Sequence, residues 1–310
     1  MARQGTGSRT DARRRGLYEL GADAVERVFV DAPRCYVCPL CLRGFLPRAL
    51  DYGLLTLEHI PPRRMGGKPA ALTCRECNNT AGHGLDNHLV AYNDNLDFAM
   101  GQMERALPGR YHHDGGPELN VSVLKGTAGI QVSVEPARNH PGKQAQAQAE
   151  WARFVASGTG GVGIHVTLDR PYAARRAFVA ALRVAYLAGF AFLGYRYVLT
   201  TRMKPIREQL ARPDDQVIPM FSTTDPKAER RASPDLLIVQ EPPELRSLVV
   251  RFGRHNVFLP SPFDVHDIHA YLEMHSQQHD QLTLSVSGKI APWPATLQLL
   301  ADVGDWAAAE

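Results

Sequence analysis

All five cysteines of this 310-residue chain, Cys35, Cys38, Cys41, Cys74 and Cys77, fall in its first quarter. A disulfide scaffold usually spreads its cysteines through a smaller secreted chain, whereas clustered Cys-x-x-Cys pairs point to a metal. Residues 1–15 are polar and Arg-rich with no apolar run behind them, so no secretory signal is read and a cytoplasmic location is expected. Cys38-Pro39-Leu40-Cys41 and Cys74-Arg75-Glu76-Cys77 can each present two thiolates from a tight turn, and two such knuckles complete a tetrahedral zinc site. Cys35-Tyr36-Val37-Cys38 has the same spacing, so either Cys35 or Cys41 can complete the first knuckle. Pro39 and the following Leu42-Arg43-Gly44 favour Cys41. The gap from Cys41 to Cys74 is longer than a bare zinc ribbon needs, and something further must occupy it.

With 44% apolar and 22% charged residues the chain can bury a real core. A net charge of +3 permits a nucleic-acid partner without demanding one. The apolar stretch from Val184 to Tyr195, between Arg183 and Arg196, is too short to span a bilayer and reads as a buried helix, so no membrane partner is expected. Residues 1–12 read as a disordered tail, and apolar positions at helical spacing predict a helix over 11–30. The cysteine-rich segment follows, then a helix over 85–107 stopped by Pro108 and Gly109. Alternating residues around Lys125-Gly126-Thr127 predict a hairpin, followed by a helix over 144–156 and a strand over 163–168. A long helix over 170–199, broken near Gly189 or Gly194, precedes short strands at 235–240, 247–252, 256–259 and 281–287. The expected fold class is α+β, with a 13–108 unit and a 109–310 C-terminal domain.

The residues between and after the knuckles carry the chemistry. Leu54 to Leu57 reads as a strand running into Glu58-His59-Ile60-Pro61-Pro62, followed by Gly66-Gly67. The second knuckle continues as Asn78-Asn79, then Gly82 and Asp86. This order of elements resembles the HNH endonuclease family, in particular the subgroup whose ββα-metal fold is pinned by a four-cysteine zinc. The likeness covers residues 35–90 and names nothing in the remaining two thirds.

The resemblance implies a metal-dependent endonuclease that hydrolyses phosphodiester bonds in DNA, with RNA left open as the alternative polymer. His59 is then the general base that takes a proton from water, a task suited to a group titrating near neutral pH. Glu58 and Asn78 are expected to hold one catalytic Mg²⁺ or Mn²⁺, while Cys38, Cys41, Cys74 and Cys77 hold a structural Zn²⁺. Glu58 stands where many relatives carry Asp. Neighbours on a regular strand face opposite ways, so Glu58 and His59 can serve one phosphate only if the strand bends or ends there. Arg63, Arg64 and Lys68 lie between the base and the second knuckle and are expected to contact flanking phosphates. Asn79 and His83 are candidates for secondary roles, and Asp86 is expected to orient a neighbour or cap a turn. By analogy such a nuclease serves in bacterial defence, as a homo-oligomer or beside a defence-system partner protein. The reading from a different class is a zinc-ribbon module that binds nucleic acid or protein without cutting.

Overall fold

The computed structural model describes residues 4–29, 31, 33–103, 105–113, 116–126, 129–158, 164–220, 223–224, 231–263, 266–277 and 284–293. Helices and antiparallel sheets make an α+β protein of two compact units, one of residues 1–89 with 174–310 and the other of residues 90–173. The chain therefore leaves its first unit and returns to it. This corrects the expected boundary near residue 108, and the reason lies in the long apolar helix.

That helix, α5 (Ala174–Val198), is buried without a break from Ala177 to Ala191. It is longer than its most apolar run suggests, and by length and composition alone it could cross a membrane. A helix apolar all round must be enclosed. Here α1 (Gln4–Val28), the β3–β4 hairpin (Leu55–Ile60 and Lys68–Cys74) and the β11–β12 strands (Ser247–Gly253 and His255–Pro260) enclose it. Gly194, at φ 68° and ψ −166°, sits in backbone territory open essentially to glycine and kinks the helix as expected.

The N-terminal part is built around that axis. α1 begins at Gln4, inside the segment expected to be disordered, and buries Tyr18, Ala22 and Val25 at helical spacing. β1 (Tyr36–Val37) pairs with β2 (Gly44–Phe45), and the first knuckle forms the turn between them. β3 and β4 pair antiparallel, and α2 (Arg75–Ala81) begins at the residue after β4. The expected 85–107 helix is α3 (Asn87–Met100), joined to α2 through a π-helical turn over Gly82–Asp86.

After α5, a short α6 (Lys204–Ala211) leads to a five-stranded antiparallel sheet of order β13-β10-β11-β12-β9, where β9 is Thr223–Thr224, β10 Arg231–Glu241 and β13 Ser287–Pro292. Alternation assigns its two faces. Leu236, Ile238, Leu248 and Val250 join the main core with α5, while Leu237, Val239 and Val249 meet Ile268 and Leu272 of α7 (Ile268–Ser276). The strand expected over 281–287 begins only at Ser287, and residues 281–283 lie outside the described residues.

In the second unit, β5 (Leu107–His113), β6 (Leu119–Gly126), β7 (Gly129–Val134) and β8 (Ile164–Leu168) form a sheet of order β7-β6-β5-β8. α4 (Pro141–Ser157) adds Ala147 to a small core of Leu119, Val121 and Val123. The hairpin stands where alternation placed it. Strand β5 was not expected, because Pro108 and Gly109 read as the end of a helix rather than as residues inside a strand.

Candidate metal centre and active site

The sulfur atoms of Cys38, Cys41, Cys74 and Cys77 all lie within 4.8 Å of one another. Zn–S bonds of about 2.3 Å at tetrahedral angles require sulfurs about 3.8 Å apart, and Cys41 and Cys74 stand at 3.7 Å. The four can hold a metal ion, and the donor set fits zinc. Cys35 is buried outside the cluster, its sulfur packed near Gly44, so Cys41 completes the first knuckle.

The local backbone explains the gathering. Leu42 adopts a left-handed conformation at φ 59°, donates its N–H to the Cys38 carbonyl at 2.8 Å, and lets Cys38 donate to the Arg43 carbonyl at 2.9 Å. Backbone N–H groups aim at sulfur as well, from Cys74 to Cys38 at 3.4 Å and from Cys77 to Cys74 at 3.5 Å. The Cys38 thiol is held well below its usual range, first by a hydrogen bond from Cys77 and then by backbone donors. Arg43 reaches across the knuckles to Cys41 and Cys74 at 3.4 Å each and pairs with Glu76 at 2.5 Å. Four thiolates around a divalent ion carry two excess negative charges, and Arg43 offsets part of them.

The long gap between the knuckles contains the β3–β4 hairpin. Its loop explains the paired glycines: Gly66 is left-handed at φ 83°, and a Cβ on Gly67 would fall 1.5 Å from the Pro61 carbonyl oxygen. Only glycine lets the chain close this tightly after Pro61 and Pro62. The hairpin shifts register between Glu58 and His59, since Glu58 opposes Ala71 while His59 opposes Pro69. The extra residue, Ala70, belongs to β4. β3 itself stays paired through Ile60, so Glu58 and His59 keep the opposite facings of adjacent strand residues.

The surroundings of the two residues agree with that. Glu58 is buried, and its Oε2 accepts from Thr73 Oγ1 at 2.9 Å and from Arg183 at 2.6 Å. Asp86 stands 3.7 Å from the same guanidinium, and burial pushes its carboxyl up to about 6 against the pull of Arg183. Asn78 lies on the first turn of α2 and donates both amide hydrogens into β3, to Thr56 Oγ1 at 2.9 Å and the Leu57 carbonyl at 3.2 Å. Thr56 donates in turn to the Thr73 carbonyl at 3.3 Å. Asn78, Thr56, Thr73, Glu58, Arg183 and Asp86 thus form one polar chain across the hairpin.

His59 is half-buried and has different company. Burial holds its imidazole below the ordinary histidine value, and the guanidinium groups of Arg63 and Arg13 push the same way against the neighbouring Glu58 carboxylate. The ring is therefore neutral at neutral pH, the form a base requires. The expected cation ligands are partly engaged. Glu58 Oε2 is already taken by Thr73 and Arg183, while Asn78 donates through Nδ2 alone and keeps its Oδ1. A Mg²⁺ or Mn²⁺ ion would take Glu58 Oε1 and Asn78 Oδ1, the oxygens that these contacts leave. The side chain of His83 lies outside the described residues.

Arg183, Thr73 and Arg13 were missed in the sequence. Arg183 had a signal, as a lone charge inside an apolar helical run that must find a buried partner. Thr73 and Arg13 had none without the pairing of β3 with β4 and the docking of α1. No family model, curated protein or solved structure matches the chain.

Proposed function

We propose that the β3–β4–α2 module is a nuclease of the HNH type that cleaves phosphodiester bonds in DNA, with His59 as the general base. One observation carries the reading: an antiparallel hairpin runs directly into a helix, two cysteine pairs able to share one metal ion flank it, and a neutral histidine stands near the end of its first strand. Metal at the four sulfurs, taken as zinc, contributes folding free energy and no chemistry. His59 accepts the proton of the attacking water, while Arg13 and Arg63, the cations whose charge acts on the imidazole, hold the phosphate. No step is assigned to Mg²⁺ or Mn²⁺, and Glu58 Oε2 is engaged by Arg183.

That engagement favours a second reading, a metal-stapled binding module that does not cut. Incubating supercoiled plasmid with wild type and His59→Ala, under Mg²⁺ and under Mn²⁺, separates the two. The nuclease reading expects nicking that His59→Ala slows by at least about 10²-fold, the usual worth of a positioned base. Equal inertness of both proteins under each ion supports the binding module. Equal cutting by both removes His59 from the mechanism. Anti-phage defence and a homo-oligomeric or partner-bound state belong to this proposal by analogy alone.

A further inference from the structure

The basic side chains of the N-terminal region divide into two groups. Arg14 pairs with Asp11, Arg15 with Asp51, Arg34 with Glu19, Asp23 and Glu26, and Arg43 with Glu76. Arg9, Arg13, Arg27, Arg48, Arg63, Arg64, Lys68 and Arg75 are exposed, and none enters an ion pair among the described residues. Five of them, Arg9, Arg13, Arg63, Arg64 and Lys68, belong to two neighbouring segments. Arg9 and Arg13 lie one turn apart on the same face of α1. Arg13 donates to the carbonyl of Pro69 at 2.5 Å, which fixes that face of α1 against the segment carrying Arg63, Arg64 and Lys68. His59 opposes Pro69 across the hairpin, so the imidazole lies where the two basic edges meet.

An unneutralised row of five cations is electrostatically unfavourable in the free protein, and a polyanion removes that repulsion. We propose that α1 and the 63–68 loop form the two banks of a phosphate-binding channel running past His59, and that its occupant is the backbone of a nucleic acid. Arg13, which no sequence motif marks, is then a substrate-contacting residue contributed from outside the hairpin. The loop arginines alone supply one bank, and α1 supplies the other. A backbone-directed channel holds phosphates without reading bases, so binding is strongly salt-dependent and weakly dependent on sequence.

This rests on the nucleic-acid partner proposed above and not on cleavage, so binding is measured where cleavage is blocked. The full chain carrying His59→Ala is titrated against fluorescein-labelled duplex and single-stranded oligonucleotides across a salt series. Adding Arg13→Glu or Arg9→Glu should weaken binding uniformly over unrelated sequences. Removing one arginine–phosphate pairing lowers the slope of log affinity against log salt by about 1 on duplex. The same charge change at Arg153, an exposed residue of the second unit, should leave the slope unaltered. Far-ultraviolet circular dichroism and metal content show whether each variant is folded. If Arg13→Glu is misfolded, Arg13→Lys against Arg13→Gln decides, with lysine retaining the slope and glutamine losing it.

An Arg13→Glu slope equal to that of Arg153→Glu overturns the channel, as does an absence of binding to either oligonucleotide at low salt. Binding that depends on Arg13 in a protein that never nicks DNA keeps the channel and removes the nuclease. Nicking indifferent to Arg13 does the reverse.

Discussion

Arg183 donates to the Glu58 carboxylate at 2.6 Å although 125 positions separate them, and each side chain is only 4% exposed. A charge taken out of water needs a partner in place, and losing one member leaves the other buried and unpaired. Arg183→Met should therefore destabilise the protein by about 3–5 kcal/mol in urea unfolding, as breaking other buried pairs does. Glu58→Gln should cost less, since the amide still accepts from Thr73 and Arg183. The double variant Glu58→Met/Arg183→Met should recover part of the loss. A cycle with no coupling between the two positions would show that the pair does not hold the hairpin to α5.

The cysteine cluster makes a separate prediction about composition. Purified protein should contain one metal ion per chain, with zinc expected, and Cys74→Ser should lose both the metal and cooperative unfolding of the first unit. Cys35→Ser should keep the metal, because Cys35 stands outside the four sulfurs. Elemental analysis beside circular dichroism reads both. Equal metal loss in Cys35→Ser would mean that Cys35 is a ligand in solution.

Local signals carried the metal ligands and the strand before Glu58, because a Cys-x-x-Cys turn is decided within a few residues, whereas the order of hairpin and helix came with the resemblance to the HNH family. Cys41 over Cys35 was legible from Pro39 onward for the same reason. What Glu58 does was not legible, since its role is decided by Arg183, whose arrival depends on α5 packing over the hairpin. The division into units escaped for a related reason: composition shows that α5 must be buried but not which surfaces enclose it. Arg13 shows the same limit, being an ordinary exposed helical arginine until α1 is placed against Pro69.

The loop between β3 and β4 has a backbone that tolerates no side chain at one position. Gly67→Ala places a methyl carbon where the Pro61 carbonyl oxygen lies, so the strands must part or the loop must move. We expect a loss of roughly 2 kcal/mol or more, above the ordinary glycine-to-alanine effect of about 1 kcal/mol. Gly66→Ala, which meets no neighbour but keeps φ at 83°, should cost about 1 kcal/mol from backbone strain alone. Thermal unfolding of the pair separates collision from strain, and equal losses would contradict the geometry.

His255 connects the sheet to acid stability. It is 2% exposed on β12, and burial pushes its imidazole down to about 4. In the unfolded chain the ring titrates near its ordinary value of about 6.5. Above that value neither state binds the proton and the residue has no pH-dependent effect. Between about 6.5 and about 4 the unfolded state is protonated first, so stability falls as pH falls through this window, by roughly 3 kcal/mol at its lower end. Other groups titrate there too, including thiolates released from metal at low pH, so the test is a difference. Urea unfolding of wild type and His255→Phe at matched pH should diverge least near pH 5 and most near pH 7 if the aromatic replacement packs worse but cannot be protonated. Parallel curves across the whole range would mean that the imidazole titrates normally and is not desolvated by the sheet.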